Sequence, residues 1–147
     1  MMSKPSRLEP IADYAELREN EAARRLAESA RNLQAKENDL ERLRGYLAEY
    51  RQRAELEEHP VGSVRWQNSR AFLAKLSDAV AAHEAEVEKA LERHRLETER
   101  WRNSHLRSKT LDRVLEKARA SELVALGKRD QAELDERSLR QALQSRG

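Results

Sequence analysis

The chain of 147 residues is 38% charged and 4% aromatic, and its mean hydropathy is −0.98. This composition excludes a layered globular core, because too few apolar side chains remain to fill one. The net charge of +2 provides no overall positive electrostatic field that would attract nucleic acid. The lack of cysteine excludes disulfides, thiolate metal sites and thiol nucleophiles.

A first long helix is predicted from about residue 8 to about residue 58. Ser6 followed by Glu9 has the spacing of a capping box, and Pro10 is tolerated in a first turn. After Pro10, only Gly45 interrupts the helical pattern. The N-terminal residues contain no apolar segment of a signal peptide, and no run approaches the roughly 20 apolar residues that span a bilayer. We therefore expect a cytosolic protein without direct membrane insertion.

A turn predicted at residues 59–63 leads into a second helix from about residue 64 to about residue 144. The turn contains a proline and a glycine, and Ser63 is a suitable N-cap for the second helix. No proline follows. The prediction is therefore an all-α chain, residues 1–147, that forms a single hairpin of two long helices.

Apolar side chains recur every seven residues in both predicted helices, which is the pattern that a two-stranded coiled coil buries in its seam. The predicted seam comprises Leu26, Leu33, Leu40, Leu47, Leu73, Val80, Val87 and Trp101. His94 has the same register, and a second register three residues later contains Leu76, His83, Ala90, Leu111 and Ala118. These registers predict an antiparallel coiled-coil hairpin, which has no room for an enzyme's cleft.

The second helix is longer than the first, so its C-terminal part is predicted to overhang. If the chain folds back about residue 61, Leu8 lies level with Val114, and roughly thirty residues beyond have no intramolecular partner. The apolar side chains of this overhang are Leu123, Leu126, Leu134, Leu139 and Leu143. We expect the segment to dock into another protein or to fray near Gly127, since an interior glycine costs about 1 kcal/mol relative to alanine.

No motif for catalysis or for a cofactor is present. His83, His94 and His105 recur every eleven residues, but a rise of about 16 Å between successive members prevents them from sharing a metal ion. No glycine-rich phosphate loop occurs, and the many carboxylates alternate with Lys and Arg as they do on solvated helix faces. The sequence therefore predicts no catalytic residue, no metal, no cofactor and no enzymatic activity.

Four of the six aromatic residues lie within 27 residues of one another beside the predicted turn. Three of the four belong to two further apolar stripes, which comprise Leu43, Tyr46 and Tyr50 on the first helix and Phe72, Leu76, Ala79 and His83 on the second. At about 100° per residue, the first stripe lies roughly 90° from Leu40 and Leu47. Two interpretations remain open: a docking patch for a partner, or a hairpin tip that packs on itself.

The C-terminal third of the chain is basic. Residues 101–147 carry eleven Lys or Arg and seven Asp or Glu, whereas residues 1–100 carry eighteen and twenty. This imbalance fits either a solvated helix face or a surface for an acidic partner or nucleic acid. No pattern of a known nucleic-acid module accompanies it, so we expect no nucleic acid as partner.

Short segments in a fixed order carry a family resemblance over nearly the full length. They are Leu8-Glu9, Ala15-Glu16, Ala22-Ala23-Arg24, Tyr46, Glu49-Tyr50-Arg51, Arg65-Trp66, Asn68, Phe72, Leu76, Ala79, His83, Trp101-Arg102, Asp130-Gln131 and Asp135-Glu136. Together they resemble the FliJ family, a small coiled-coil component of the flagellar type III protein export apparatus. The resemblance implies a stalk, like that of rotary ATPases, which enters the export ATPase ring and promotes assembly of its hexamer.

The resemblance also implies contacts with the membrane export-gate protein and with export chaperones, and a cytoplasmic location, peripheral to the inner face of the cell membrane at the flagellar base. The gate-binding patch that it implies is Leu43, Tyr46, Tyr50, Phe72, Leu76, Ala79 and His83. The residues that it implies to face the ATPase are Arg129, Asp130, Gln131, Leu134, Asp135 and Glu136.

Three alternatives to this stalk are retained. The first is the equivalent stalk of a virulence type III secretion system. The second is a homodimeric coiled-coil scaffold. The stalk, in contrast, is expected to be a monomer when free. The third is a nucleic-acid binder that uses the basic residues 101–147, for which strongly salt-dependent DNA binding is required.

Overall fold

The computed structural model of the chain describes residues 3–57 and 59–146. These residues form two α-helices, α1 (Lys4–Leu56) and α2 (Val64–Ser145), and contain no strand. The helices pack against each other in an antiparallel hairpin. The predicted all-α hairpin is confirmed.

Helix α1 begins four residues earlier than the sequence pattern predicts. Ser3 acts as its N-cap: the backbone N–H of Ser6 donates to Ser3 Oγ at 3.3 Å, and that of Arg7 donates to the Ser3 carbonyl at 3.1 Å. Pro5 lies in the first turn. Backbone N–H groups in a first turn have no intrahelical acceptor, so a proline there removes no helical hydrogen bond. The predicted end of the helix, residue 58, lies outside the described residues, and α1 ends at Leu56.

The turn between the helices is built by Gly62 and Ser63. Gly62 has a φ of 86°, a backbone conformation in which any other residue is strained. The Oγ of Ser63 accepts a hydrogen bond from the backbone N–H of Trp66 at 3.2 Å, which caps α2. Helix α2 therefore starts at the predicted residue, Val64, and ends at Ser145.

The hairpin consists of two compact units. One unit, Ala22–Trp101, contains the turn. Near the turn, Leu40, Leu47 and Val80 are buried together, and they are packed by Leu43, Leu73, Leu76 and Val87. Farther from the turn, Leu26, Leu33 and Trp101 are half-buried, and polar side chains share the seam. Ser29 is buried and its Oγ lies 3.3 Å from His94 Nδ1. This unit thus contains every residue of the predicted seam.

The other unit combines Met1–Glu21 with Arg102–Gly147. The buried residues of its seam are mostly small, namely Ala12, Ala15, Ala118 and Ser108, together with Leu115. Every described side chain from residue 123 to residue 146 is exposed, so the pairing of the helices ends near Glu122. The overhang is shorter than the sequence arithmetic predicts, because α1 begins earlier and covers more of α2.

Candidate partner-binding surfaces

The histidines of α2 make structural hydrogen bonds. His83 Nδ1 lies 3.0 Å from the carbonyl oxygen of Ala79 on the same helix, a geometry that requires the ring N–H to donate. His105 Nδ1 lies 2.8 Å from Glu19 Oε1 on the other helix. Over residues 3–57 and 59–146, no three His, Asp or Glu side chains converge as metal ligands. Neither helix contains, in the part described, a stretch long and apolar enough to cross a membrane.

Leu43 and Leu76 of the predicted gate-binding patch lie in the coiled-coil seam. Both pack against the buried cluster of Leu40, Leu47 and Val80. Leu43 follows Leu40 by three residues and precedes Leu47 by four, which is the second buried position of a heptad. From sequence, Leu43 was assigned to a separate stripe, because only one buried position per heptad was assigned to the first helix. A two-stranded coil buries two.

Tyr46 and Phe72 are the exposed aromatic residues of the same patch, with 57% and 46% of their surfaces accessible. The ring of Phe72 packs against that of Tyr50, with centroids 4.5 Å apart and planes tilted by 50°. This contact holds the Phe72 ring in place while leaving one of its faces open. Tyr50, Ala79 and His83 are half-buried. The part of the patch that a partner can reach is therefore small and aromatic.

The two exposed rings lie on one side of the seam. Tyr46 directly precedes Leu47, and Phe72 directly precedes the seam residue Leu73. The residues that directly follow seam positions lie on the opposite side, where Arg44 and Glu84 form an ion pair between the helices at 3.2 Å. The side of the tip with Tyr46 and Phe72 thus presents an aromatic surface, whereas the opposite side presents the Arg44–Glu84 ion pair.

The end of the hairpin exposes apolar residues that the sequence analysis did not single out. Leu56, Val61 and Val64 are each more than two-thirds exposed. Beside them, the guanidinium of Arg70 stacks on the Trp66 ring, 4.7 Å from its centroid. The signal in the sequence was the presence of three separate apolar residues around the turn, at positions that neither heptad register includes.

The overhang of α2 presents all the residues expected to face the ATPase. Arg129, Asp130, Gln131, Leu134, Asp135 and Glu136 are exposed, and none lies against α1. The amide N–H of Gln131 donates to Asp135 Oδ1 at 3.0 Å, and Arg140 donates to Glu136 Oε1 at 3.0 Å. Pairs spaced four residues apart stabilise an isolated helix modestly. They contribute to the stability of this unpaired segment, whose leucines remain uncovered.

Glu19 is the residue whose titration the fold alters most clearly. Hydrogen bonds from His105 and from Ser108 lower the pKa of the Glu19 carboxyl, and the charges of His105 and Lys109 act in the same direction. Partial burial opposes them but is weaker. Glu19 is thus held as a carboxylate that links the two helices within its unit.

The chain is similar to known proteins along nearly its whole length. The chain matches the family model described as "Flagellar FliJ protein" over residues 3–147. It is 29% identical over 143 residues to the flagellar FliJ protein of Salmonella typhi, and 27% identical over 143 residues to that of Escherichia coli (strain K12). Each of these matches covers 97% of this chain and 97% of the relative.

Proposed function

Because the chain belongs to the flagellar FliJ protein family, we propose that it is a stalk-like component of the flagellar type III export apparatus. In this proposal, the overhang of α2 binds the export ATPase and promotes assembly of its hexameric ring. The family is a structural flagellar family rather than an enzyme family. The role is accordingly to bind and organise other proteins, without chemistry of its own.

The observation that carries the proposal is the uncovered overhang. Leu123, Leu126, Leu134, Leu139 and Leu143 are between 46% and 70% exposed, on a helix that the rest of its unit leaves bare. Full burial of a leucine side chain contributes about 1.5–3 kcal/mol, so a helix with five exposed leucines gains much from docking. A ring that encloses the helix is the surface best able to bury side chains that point in several directions.

The second contact in the proposal is with the membrane export-gate protein, through the tip. Tyr46 and Phe72 offer the aromatic surface, and Tyr50 supports it. Aromatic residues are enriched among interface hot spots because they bury a large area with few rotatable bonds. A protein that binds the ATPase through one unit and the gate protein through the other connects the ATPase to the gate.

Export chaperones are further partners in this proposal. We place the protein in the cytoplasm, peripheral to the inner face of the cell membrane at the flagellar base, and as a monomer when free. The match to flagellar relatives favours this assignment over the stalk of a virulence secretion system.

The decisive experiment measures ATP hydrolysis and ring assembly of the export ATPase from the same source, with and without this chain. We expect stimulation by the natural chain at a low ratio to ATPase, and loss of stimulation for the double variant Leu134→Glu/Leu139→Glu. The matched control is Ser138→Glu/Gln141→Glu, which adds the same charge at polar positions of the same helix.

Two results would argue against the stalk. Equal stimulation by both double variants would show that the overhang leucines do not contact the ring. No stimulation by the natural chain, together with a dimer in light scattering that Leu134→Glu/Leu139→Glu dissociates, would instead favour the homodimeric scaffold.

A further inference from the structure

Two grooves run between the helices in the unit formed by Met1–Glu21 and Arg102–Gly147. The first is lined by Ile11, Tyr14, Arg18, Arg107 and Leu111, with a volume of about 370 Å³. The second is lined by Lys4, Pro5, Val114, Lys117 and Ala118. Both lie on the same side of the seam, because Lys4 and Ile11, and likewise Arg107 and Val114, are seven residues apart. We call this side of the unit the basic groove.

The basic groove combines apolar and cationic side chains. Ile11, Tyr14 and Val114 are 51%, 59% and 40% exposed. Lys4, Arg18, Arg107 and Lys117 line the grooves, and none of these four forms an ion pair with a carboxylate among the described residues. Arg18 instead lies against Tyr14, with its Nη1 3.3 Å from the phenolic oxygen. One carboxylate, that of Glu122, also lines the second groove.

The opposite side of the same unit has the reverse charge. Its residues directly follow seam positions and include Glu9, Glu16 and Asp112, with Asp13 and Glu116 beside them. Cations there are engaged: Arg119 pairs with Glu9 across the helices at 3.7 Å, and Lys109 acts on Glu19. Acidic side chains are thus more numerous than basic ones on this side of the seam, whereas basic side chains are more numerous on the side of the grooves.

We propose that the basic groove is a docking site for an acidic amphipathic helix of a partner protein. A helix with an apolar stripe places its leucines against Ile11, Tyr14 and Val114, and glutamates beside that stripe meet Arg18, Arg107 and Lys117. Charge complementarity of this kind selects the partner and speeds association. Tyrosine and arginine are also the residue types most often found at interface hot spots.

Nucleic acid fits the groove less well. Phosphate backbones are bound by a continuous positive stripe, whereas this groove has exposed apolar side chains between its cations, and the carboxylate of Glu122 also lines it. The proposal does not depend on the proposed export function, and it concerns neither the tip patch nor the overhang.

The test uses the full chain and two synthetic probe peptides of about 20 residues. In both peptides, leucines are spaced alternately three and four residues apart, so that they form one apolar stripe on a helix. The positions beside that stripe are all glutamate in one peptide and all lysine in the other. We expect the glutamate peptide to bind at least about tenfold more tightly in fluorescence anisotropy, and to weaken as salt screens the charges.

A charge-reversed variant checks the assigned residues. Arg18→Glu/Arg107→Glu should reduce affinity for the glutamate peptide about tenfold and should improve affinity for the lysine peptide. The matched control, Arg113→Glu/Lys128→Glu, changes net charge equally at exposed positions outside the groove and should bind like the natural chain. Circular dichroism verifies that both variants remain helical.

A second measurement keeps the test independent of the folding of the variants. A photoreactive residue replacing Asn103, which lines the groove, should attach the glutamate peptide, whereas one replacing Arg113 should not. Equal affinity for the two peptides, equal labelling at both positions, or binding only to duplex DNA would overturn the proposal. So would a dimer of the natural chain that Arg18→Glu/Arg107→Glu dissociates, since the groove would then be occupied by a second copy.

Discussion

His105 on α2 and Glu19 on α1 form the shortest polar contact between the two helices, with Nδ1 and Oε1 2.8 Å apart. Ser108, one turn further along α2, is buried and donates to the same carboxylate. Apart from Leu115, the buried residues of this seam are alanines and a serine, which bury little apolar area. Polar contacts of this kind therefore have a larger share in aligning the helices there than near the turn.

The contact makes the stability of this unit dependent on pH. Because the pKa of Glu19 is lowered in the folded state, its contribution is complete above the pKa of an unfolded glutamate, about 4.3, and is lost as the pH falls through the folded value. We expect Glu19→Gln to unfold more easily at pH 7, by on the order of 1 kcal/mol, and to lose less stability than the natural chain between pH 5 and about pH 3. Urea unfolding followed by circular dichroism measures this, with Glu16→Gln as the exposed control.

Glu97 is a buried carboxylate in the other unit, and its replacement should stabilise the hairpin. The side chain is 1% exposed; Oε1 is 3.3 Å from Arg100 Nη1, while Oε2 has no hydrogen-bond partner among the described residues. Burying such a group is costly, and exchange of buried ionic groups for apolar ones is often neutral or stabilising by about 1–4 kcal/mol. We expect Glu97→Leu to raise the melting temperature and the exposed control Glu99→Leu to leave it unchanged. A lower melting temperature for Glu97→Leu would show that the carboxylate is required for the packing.

Leu76 and Phe72 should separate folding from gate binding. Leu76 packs on the buried cluster, so Leu76→Ala should lower the stability by about 2–4 kcal/mol through loss of apolar burial and a cavity. Phe72 is nearly half exposed, so Phe72→Ala should cost less stability while weakening binding to the export-gate protein. Thermal unfolding and a binding assay with the soluble part of the gate distinguish the two. Equal destabilisation by both variants would place Phe72 in the core instead.

The glycines should respond in opposite directions to alanine substitution. Gly62 has a positive φ, so Gly62→Ala should lower stability by about 1 kcal/mol or more. Gly45 and Gly127 lie within helices, and nothing beyond the adjacent residues and the local helix backbone lies within 4 Å of where a Cβ would be placed. Alanine at either position should therefore stabilise its helix by up to about 1 kcal/mol. The melting temperatures of the three single variants test this directly.

Several features of the fold follow from local sequence. The N-cap Ser63 and the positive φ of Gly62 place the turn, and leucines at Leu40 and Leu47 specify the seam. The start of α1 was harder to predict, because Ser3 and Ser6 both have the side chain of an N-cap and only the backbone geometry distinguishes them. Within the predicted gate-binding patch, which stays a prediction, the sequence pattern did not separate the exposed Tyr46 from the seam residue Leu43.

By itself, the sequence determined that the chain forms two helices that pair along a seven-residue repeat, since helix periodicity is set by the covalent geometry of the backbone and a stripe at that spacing must be buried. Only the tertiary structure decided how far the pairing extends, which polar groups meet across it, and which cations are left without a carboxylate. Those outcomes depend on the stagger of one helix against the other. The stagger is set jointly by contacts between residues distant in sequence, such as Glu19 with His105 and Ser29 with His94.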